Sequence, residues 1–382
     1  MPYNIDPRQE AVREQVKAFA EKEIHPISRE LDQADHDRKF PRELYRKLGQ
    51  AGFIGYGMPK ELGGQGKTHI EYITAVEELC YHDAAVGLLC AVGELATHPI
   101  IHFGNDEQKK KWVPKCASGE IVPAFVLTEP TAGSDAANQK TTAVEDGDNF
   151  VLNGEKTFIM HGDVADIGVV FLKVEGKPKL SAMIVEDTKQ AGWQTRTLQQ
   201  KMGMRAATTG GIVIKDVTVP KANLLGEYGK GFRYAMTTLD SARVGVAAQG
   251  VGVAQRALDE SVNYAKEREQ FGAPIAKLQA IQWMIADMST QIAAARMLCY
   301  KAAKMQDEGV RYSLEAAQAK LFCSETARFC VDRAMQIHGG RGYIGEFSPI
   351  EKLYRDQRVL EIYEGTSEVQ RLVIAGNVIG AR

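Results

Sequence analysis

Four separated segments of the sequence hold residues that could do chemistry, and three of them suit the binding of a flat ring or a phosphate. They are FVLTEPTAGSD at 125–135, REQFGAPI at 268–275, QIHGGRGY at 336–343 and IYEGTSEVQR at 362–371. The first is a turn rich in Gly, Ser and Thr, and such a turn exposes backbone N–H groups and hydroxyls to a planar ring or a phosphate. Arg268 offers a planar fork of donors that matches a pyrophosphate. The adjacent glycines of the third segment allow the backbone to approach a diphosphate closely.

Two other glycine-rich segments do not fit the standard nucleotide-binding motifs. GGQGKT resembles a phosphate loop, but position 61, where that motif needs glycine, holds Glu61. GVGVAQ begins at Gly250 and has Gln255 in place of the third glycine of a dinucleotide fingerprint. The sequence around it predicts a helix, so its small residues favour tight helix packing. A nucleotide cofactor, if bound, is therefore not expected to use a phosphate loop or a Rossmann unit.

The composition predicts a soluble, cytoplasmic protein. At 382 residues and 44% apolar, the chain can bury a large core in two or three domains. Lys and Arg total 47 against 49 for Asp and Glu, so the charge balance indicates no nucleic-acid partner. The six cysteines form no CxxC pair and have no His spacing for zinc, so no metal is expected. The N-terminus lacks the core of a secretion signal, and no uninterrupted apolar stretch approaches the roughly 20 residues of a membrane helix.

Three blocks of secondary structure must position the four segments. From Pro7 to about Gly119 apolar residues recur near the helical period. Between about Ile121 and Pro220 the sequence changes to short runs rich in Val, Ile and Thr, which are typical of antiparallel strands. Long helical stretches with small residues return after Gly231. This order predicts an α+β chain, with an N-terminal α-helical domain, a middle antiparallel β domain and a C-terminal helical bundle domain at 1–120, 121–230 and 231–382.

In the four segments, and in their order, the sequence resembles the acyl-CoA dehydrogenase family, and the resemblance covers nearly the whole chain. It implies the fold of that family, with a four-helix bundle at the C-terminal end. It implies an FAD-dependent oxidoreductase that converts an acyl-CoA thioester to the enoyl-CoA and passes electrons to an electron-transfer flavoprotein. A cofactor shared between chains, as in the family, implies a homotetramer built as a dimer of dimers.

Glu364 is the general base that the resemblance implies, because YEGT at 363–366 matches the short- and medium-chain branches. Oxidation next to a thioester requires removal of a weakly acidic α-proton and departure of the β-hydride to the flavin N5. A carboxylate in an apolar pocket has a pKa raised toward neutrality, which makes it a better base. Isovaleryl- and long-chain-specific relatives carry the base just before an arginine, but here Ala242 precedes Arg243. By resemblance, Arg243 helps to position the base electrostatically.

The resemblance also assigns the remaining contacts. The positions that border the isoalloxazine and the pantetheine tunnel are Phe125, Leu127, Thr128 and Ser134. The residues that contact the FAD of a neighbouring subunit are Arg268, Gln270, Phe271, Gln336, Gly339 and Gly340. Contacts within the same subunit come from Thr366 and Glu368, with Phe158 and Met160 in the strand that lines the flavin. The predicted substrate-binding residues are Glu94, Ser134, Asp240, Arg243 and Gly365, with Asp240 at the CoA moiety.

The flavin-lining strand departs from the family pattern. Most relatives have Trp, Ile, Thr and Asn where this chain has Phe158, Ile159, Met160 and His161. Phenylalanine can still stack on a ring. Met160, however, offers only a weak sulfur acceptor where relatives place a hydroxyl near the flavin N5. The flavin potential, the oxygen reactivity or the electron acceptor can therefore differ from those of relatives.

Glu94 is the second departure, since relatives usually have small or amide residues in this part of the acyl pocket. His98 lies four residues on, within helical contact range. One interpretation turns Glu94 to solvent, in a weak surface pair with His98. The other places a second acid near the acyl chain, which would suit a cyclic or otherwise unusual acyl group and would be costly beside a plain alkyl chain.

Three alternatives to the electron-transfer-flavoprotein-dependent dehydrogenase follow from the sequence. One is an acyl-CoA oxidase, which differs in how quickly the reduced enzyme reacts with oxygen. Another is a dehydrogenase of cyclic acyl-CoA thioesters that uses Glu94. The third is a catalytically silent scaffold, against which the intact Glu364, Arg243 and FAD-contact set argue. The sequence leaves the acyl group open, because pocket shape determines chain length and branching.

Overall fold

The computed structural model describes residues 6–33 and 40–380. Parts of the first and third predicted domains therefore lie outside the described residues, at 1–5, 34–39 and 381–382. The first block is helical, as predicted, with α1 to α6 at Arg8–Phe19, Ser28–Asp32, Arg42–Gln50, His69–His82, Ala84–Phe103 and Asp106–Ala117. Short π or 3-10 turns lie between these helices at Ala20–Ile24, His25–Ile27 and Lys60–Leu62.

Helix α5 lies in the interior of the fold. Asp83 caps its N-terminus by accepting hydrogen bonds from the backbone N–H groups of Ala85 and Val86 at 3.0 and 3.3 Å. Within the described residues it is the one helix long and apolar enough to cross a membrane by length and composition, with a mean hydropathy of 1.6. Of the most apolar 18-residue stretch of this helix, 89% is buried inside the fold. The apolar composition is therefore accounted for by packing in a protein core.

The middle block is a seven-stranded sheet of β1 to β7, which span Pro123–Val126, Thr142–Asp146, Asn149–Met160, Ile167–Val174, Leu180–Val185, Trp193–Thr197 and Thr209–Pro220. Strands β3 and β7 pair antiparallel, as expected. Strand β4 instead pairs in parallel with β1 and with β2 along one edge, and antiparallel with β5. The sheet is therefore mixed, and the expectation of a wholly antiparallel domain is wrong for these two pairings. The short strands β2 and β6 are mostly exposed and carry little apolar pattern.

Strand β3 is interrupted where the flavin-lining residues were predicted. Its pairing with β7 shifts register between Lys156 and Ile159. Within this irregularity Phe158 has a φ of 56°, and 70% of its surface is exposed. A large non-glycine residue in the left-handed region is strained, and such strain is found mainly at functional positions.

The third block consists of helices, with α7 to α12 at Gly231–Glu267, Gln279–Asp307, Ser313–His338, Gly340–Tyr343, Ile350–Gln357 and Ser367–Ile379. A two-stranded hairpin, β8 at Glu269–Gln270 and β9 at Ala273–Pro274, joins α7 to α8. Helix α9 packs against α7, α8, α11 and α12. A Cβ at Gly250 would lie 2.7 Å from the carbonyl oxygen of Cys323, and one at Gly252 would lie 2.1 Å from that of Glu77. The GVGVAQ segment thus lies inside α7, where its glycines allow neighbouring helices to approach closely.

Candidate active site

Glu364 lies on a strained turn before α12 and faces a small apolar cavity. Its φ is 55°, and that of the following Gly365 is 92°. The cavity has a volume of about 20 Å³, and besides Glu364 it is lined by Tyr72, Leu88, Ala91, Val92, Leu95, Met160, Ala242, Val246, Gln249 and Tyr363. The Oε2 atom of Glu364 is fully enclosed and has no hydrogen-bond partner. A carboxyl group is therefore presented to an apolar space without being neutralised by a direct partner.

Burial raises the pKa of Glu364 to about 7. The cations of Arg243 and Lys320 oppose this rise, whereas the carboxyl of Glu94 adds to it. At neutral pH both the carboxylate and the carboxylic acid are consequently populated. A group in this state can accept a proton from a weak carbon acid or return one.

Three side chains hold the backbone of this turn. Arg243 on α7 donates from Nε to the carbonyl oxygen of Glu364 at 3.3 Å. Gln370 on α12 donates from Nε2 to the carbonyl oxygens of Glu364 and Gly365 at 3.1 and 2.9 Å. Lys320 on α9 donates from Nζ to the carbonyl oxygen of Gly365 at 2.7 Å. The predicted closeness of Arg243 to Glu364 is thus present in the structure, while Lys320 and Gln370 were missed from the sequence.

Asp240, which was predicted to contact the CoA moiety, lies one helical turn before Arg243. It accepts hydrogen bonds from Nη1 of Arg243 and from the hydroxyl of Ser313 at the start of α9. Asp240 thus links Arg243, which holds the Glu364 turn, to the beginning of α9.

A second, larger cavity lies at the other end of α9. It has a volume of about 530 Å³, and it brings together all six residues predicted to contact a neighbouring subunit's FAD, namely Arg268, Gln270, Phe271, Gln336, Gly339 and Gly340. A Cβ at Gly339 or at Gly340 would meet no atom within 4 Å. The backbone is therefore open to the cavity at both glycines, as close approach of a diphosphate requires.

The hairpin at this cavity presents an aromatic side chain to solvent. Phe271 and Gly272 form its two-residue turn and have φ values of 56° and 79°, the signs that a type I′ turn requires. Asn or Gly is preferred at such positions. Phe271 is nevertheless 93% exposed. A strained, exposed aromatic residue gives no stability to the single chain, which indicates that it serves a contact with something else.

A buried ion pair positions the loop that follows β1. Lys156 on β3 is fully buried, and its Nζ lies 3.0 Å from the carbonyl oxygen of Leu127, 3.0 Å from Oε1 of Glu129, 2.9 Å from Oε1 of Gln139 and 2.7 Å from the carbonyl oxygen of Phe171. One ammonium thus links Leu127 and Glu129 at the start of the loop, and Gln139 farther along it, to the sheet. Neither Lys156 nor Glu129 was predicted from the sequence as a site residue.

The remaining predicted cofactor residues surround this loop and the Glu364 turn. Phe125 and Leu127 are buried, Thr128 is half-buried, and Ser134 is exposed on the loop. Thr366 caps α12 by accepting from the backbone N–H of Val369 at 3.3 Å, and Glu368 is exposed in the first turn.

Met160 lines the Glu364 cavity, and its sulfur accepts from the hydroxyl of Thr209 at 3.2 Å. The open glycines, the exposed Phe158 and the exposed loop together fit a flat, diphosphate-bearing group such as FAD.

Glu94 is buried, with 9% of its surface exposed. The interpretation that turns it to solvent is therefore wrong. The surface pair with His98 is also wrong, because the His98 ring is buried, pairs with the hydroxyl of Thr238 at 3.0 Å and lies against His102. Burial raises the pKa of Glu94 to about 7, against an opposing effect of His69. Glu94 is not among the residues that line the Glu364 cavity, although its α5 neighbours Ala91 and Leu95 are.

Two cavities within one chain thus gather part of the predicted site. Glu364 and Met160 line the small apolar cavity, and Arg243 reaches the Glu364 carbonyl beside it, whereas Arg268 and its five partners line the larger one. A signal for one missed residue was present in the sequence, because Lys320 follows Ala316 by four positions and precedes Cys323 by three, on the buried face of a helix. In the part of the chain that the structure describes, no group of three or more His, Cys, Asp or Glu is placed to hold a metal ion.

Comparison with known proteins gives a match along the whole chain. Three domain profiles match in order: "Acyl-CoA dehydrogenase, N-terminal domain" at residues 6–120, "Acyl-CoA dehydrogenase, middle domain" at 124–217 and "Acyl-CoA dehydrogenase, C-terminal domain" at 229–379. A curated relative, the 3-(aryl)acrylate reductase of Clostridium sporogenes, is 46% identical over 97% of this chain and 98% of its own length. The caffeyl-CoA reductase-Etf complex subunit CarC of Acetobacterium woodii is 44% identical over 96% of this chain and 97% of its own length.

Among solved structures, butyryl-CoA dehydrogenase from Megasphaera elsdenii superposes with a TM-score of 0.93 at 40% identity, covering 99% of this chain and all of the other. The match extends through the helical, β and helical blocks, so it includes both cavities and the Glu364 turn. The chain therefore belongs to the acyl-CoA dehydrogenase family, and it is an FAD-dependent oxidoreductase.

Proposed function

We propose that this enzyme interconverts an acyl-CoA thioester and its 2,3-enoyl-CoA, with Glu364 as the group that exchanges the α-proton. The observation that carries this proposal is the enclosed Glu364 carboxyl, which has a partner-free Oε2, a pKa of about 7 and an apolar cavity in front of it. The apolar lining suits the acyl part of a substrate and excludes water from the reacting carbons.

In the dehydrogenation direction, the Glu364 carboxylate takes a proton from the α-carbon. The electron pair of the broken C–H bond forms the Cα=Cβ double bond as a hydride leaves the β-carbon. The chemistry that FAD supplies when bound is the acceptance of that hydride. Arg243, Lys320 and Gln370 keep the turn that carries Glu364 in place, and Met160 lines the same cavity. Asp240 is the group proposed to meet the CoA moiety.

The reverse direction, reduction of an enoyl-CoA, is the second candidate activity. Both curated relatives of the chain described above are named as reductases, one of a 3-(aryl)acrylate and one of caffeyl-CoA. The protonated form of Glu364, populated at neutral pH because the pKa is about 7, can return a proton to the α-carbon. We further propose an electron-transfer flavoprotein as redox partner, since one relative is a subunit of a reductase-Etf complex. The cytoplasmic location stays a prediction.

The test is anaerobic mixing of the purified, FAD-loaded enzyme with a panel of straight, branched, cyclic and aryl acyl-CoA thioesters, followed by flavin absorbance. At least one thioester is expected to bleach the flavin, and a matching enoyl-CoA is expected to restore the colour of the reduced enzyme. Slow reoxidation in air is expected for a dehydrogenase, whereas rapid reoxidation would identify an oxidase. Failure of every acyl-CoA and every enoyl-CoA would contradict the proposal.

We propose that FAD is held across a subunit interface, because the 530 Å³ cavity of one chain is separate from the cavity of Glu364. Replacement of Arg268 by Ala is expected to weaken FAD retention about 10- to 100-fold, since a charge-assisted hydrogen bond contributes about 1.5–3 kcal/mol. The oligomer should become less stable with it, because a ligand of the assembled state stabilises that state. Equilibrium dialysis of FAD and sedimentation measure the two effects.

The control is Arg333→Ala, which removes a half-buried arginine of α9 that does not line the cavity. That variant should retain FAD with the affinity of the parent and should stay oligomeric. A stable Arg268→Ala monomer that binds FAD with the affinity of the parent would contradict a shared cofactor.

Glu94 is proposed to select the acyl group. Its carboxyl is buried and raises the pKa of Glu364, and a buried carboxyl beside a plain alkyl chain is unfavourable. Glu94→Gln is therefore expected to raise kcat/KM for straight-chain relative to cyclic thioesters by about tenfold, which corresponds to about 1.4 kcal/mol. Loss of the neighbouring negative charge should also lower the pKa of Glu364 and move the acid limb of the rate profile to lower pH. Unchanged relative kcat/KM across the panel for Glu94→Gln and Glu94→Ser would remove Glu94 from selection.

A further inference from the structure

The Glu364–Gly365 turn needs external support because of its conformation. Two successive residues have positive φ, and the first of them is not glycine. A glutamate in this region is strained and persists only where the surroundings impose it. The turn lies between a 3-10 segment, Arg358–Glu361, and the start of α12 at Ser367, and both of its carbonyl oxygens accept hydrogen bonds from side chains.

Two fully buried side chains satisfy these carbonyls. Lys320 and Gln370 are both 0% exposed. The Gln370 amide spans the two carbonyl oxygens, and the Lys320 ammonium reaches that of Gly365 from a different helix. A lysine buried completely in a run of small apolar residues is costly unless it has a defined role. Its partner here is a backbone carbonyl one residue from the carboxyl-bearing Glu364.

We propose that Lys320 and Gln370 are positioning residues that clamp the strained Glu364–Gly365 turn, so that the Glu364 carboxyl is aimed at the substrate cavity. This proposal rests on the proposed role of Glu364 in proton exchange. Gln370 supplies geometry alone, because it is neutral. Lys320 supplies geometry and a positive charge, so the two contributions can be separated experimentally.

The charge of Lys320 acts on Glu364 together with groups from each neighbouring helix. Lys320 of α9 and Arg243 of α7 favour the carboxylate, whereas Glu94 of α5 opposes it. Tyr72 of α4 and Tyr363 also face this region, and burial raises both phenol pKa values well above the ordinary value, so they stay neutral.

The pKa of Lys320 itself is lowered by burial to about 8, an effect that Glu364, Glu361 and Glu368 oppose. At pH 7 Lys320 is therefore mostly a cation. Removing it should raise the pKa of Glu364, because the carboxylate loses a favourable neighbour.

The test compares Lys320→Gln, Lys320→Arg and Gln370→Met by the pH dependence of substrate-driven flavin bleaching in the assembled, FAD-loaded enzyme. Lys320→Gln keeps a hydrogen-bond donor but removes the charge. The acid limb of the profile of bleaching rate against pH should therefore move to higher pH by about one unit. Lys320→Arg keeps the charge, so its limb should stay near that of the parent. Gln370→Met removes two hydrogen bonds without changing charge, so the rate should fall about tenfold or more at every pH with the limb unmoved.

Arg333→Gln is the matched control, because Arg333 lies on the same helix, its side chain is 39% exposed and it pairs with the adjacent, exposed Asp332. Solvent screens its charge, so its limb should not move. The proposal is overturned if Lys320→Gln leaves the limb in place, if Arg333→Gln moves it equally, or if Gln370→Met keeps the parent rate. If Lys320→Gln does not fold, the Gln370→Met and Lys320→Arg results still test whether these two side chains hold the Glu364–Gly365 turn. Normal turnover by Glu364→Gln would instead overturn the proposed function.

Discussion

Replacement of Glu364 by Gln is expected to leave the fold and the bound FAD in place and to reduce substrate-driven flavin bleaching by at least about 10²- to 10⁴-fold, the usual loss for a general base. The amide has the shape of the carboxyl but cannot accept the α-proton. The fold should tolerate it because Oε2 of Glu364 has no hydrogen-bond partner to lose, and the turn is held through backbone carbonyls. Stopped-flow absorbance measures the rate, and the flavin-to-protein ratio checks cofactor retention.

The pH profile adds a second readout for the same variant. In the parent, dehydrogenation should increase as pH rises through the Glu364 pKa of about 7, because the carboxylate is the active form. The residual rate of Glu364→Gln should lack this limb. Glu325→Gln is a control, since Glu325 pairs with Arg371 at the surface of α9 and α12. Near-parent bleaching by Glu364→Gln with the best substrate would show that another group takes the proton.

Replacement of Lys156 by Met is expected to destabilise the enzyme by about 3–5 kcal/mol, the range for breaking one partner of a buried ion pair. Lys156 is fully buried and its partner Glu129 is 3% exposed at the side chain. Its loss leaves the Glu129 carboxylate with two backbone donors, Lys140 and Thr141, and leaves the carbonyls of Leu127 and Phe171 without this donor. The TEPTAGSD loop should loosen, so FAD should be released at a lower temperature.

The measurement is the midpoint of thermal unfolding followed by flavin fluorescence. A second substitution, Glu129→Gln, made together with Lys156→Met, should recover part of the loss because no unpaired charge remains buried. Lys221→Met is a matched control in the same block, since Lys221 forms an exposed ion pair with Glu145 at 2.8 Å, and such pairs contribute little. Equal midpoints for Lys156→Met and Lys221→Met would contradict a structural role for the buried pair.

The sequence by itself determined the order of helical, β and helical blocks, because the helical and strand periods are local properties of the chain. It also determined that GVGVAQ lies within a helix and that the family is that of the acyl-CoA dehydrogenases, since both depend on short contiguous motifs. It predicted that Arg243 lies near Glu364, and Arg243 indeed donates to the carbonyl of Glu364, 121 residues away in sequence. That prediction came from resemblance, because nothing local connects the two positions.

Only the tertiary structure decided features that depend on chain segments meeting from a distance. The parallel pairing of β4 with β1 and β2 follows from how the strands associate. Glu94 is polar and lies in a helix with few other charges, so its sequence allowed either face; the packing around α5 buries it. Lys320 meets Gly365 across 45 residues. A single charged side chain can be solvated at the surface or buried against a backbone carbonyl. Which of the two occurs depends on the atoms that the fold places beside it, and local periodicity does not specify those atoms.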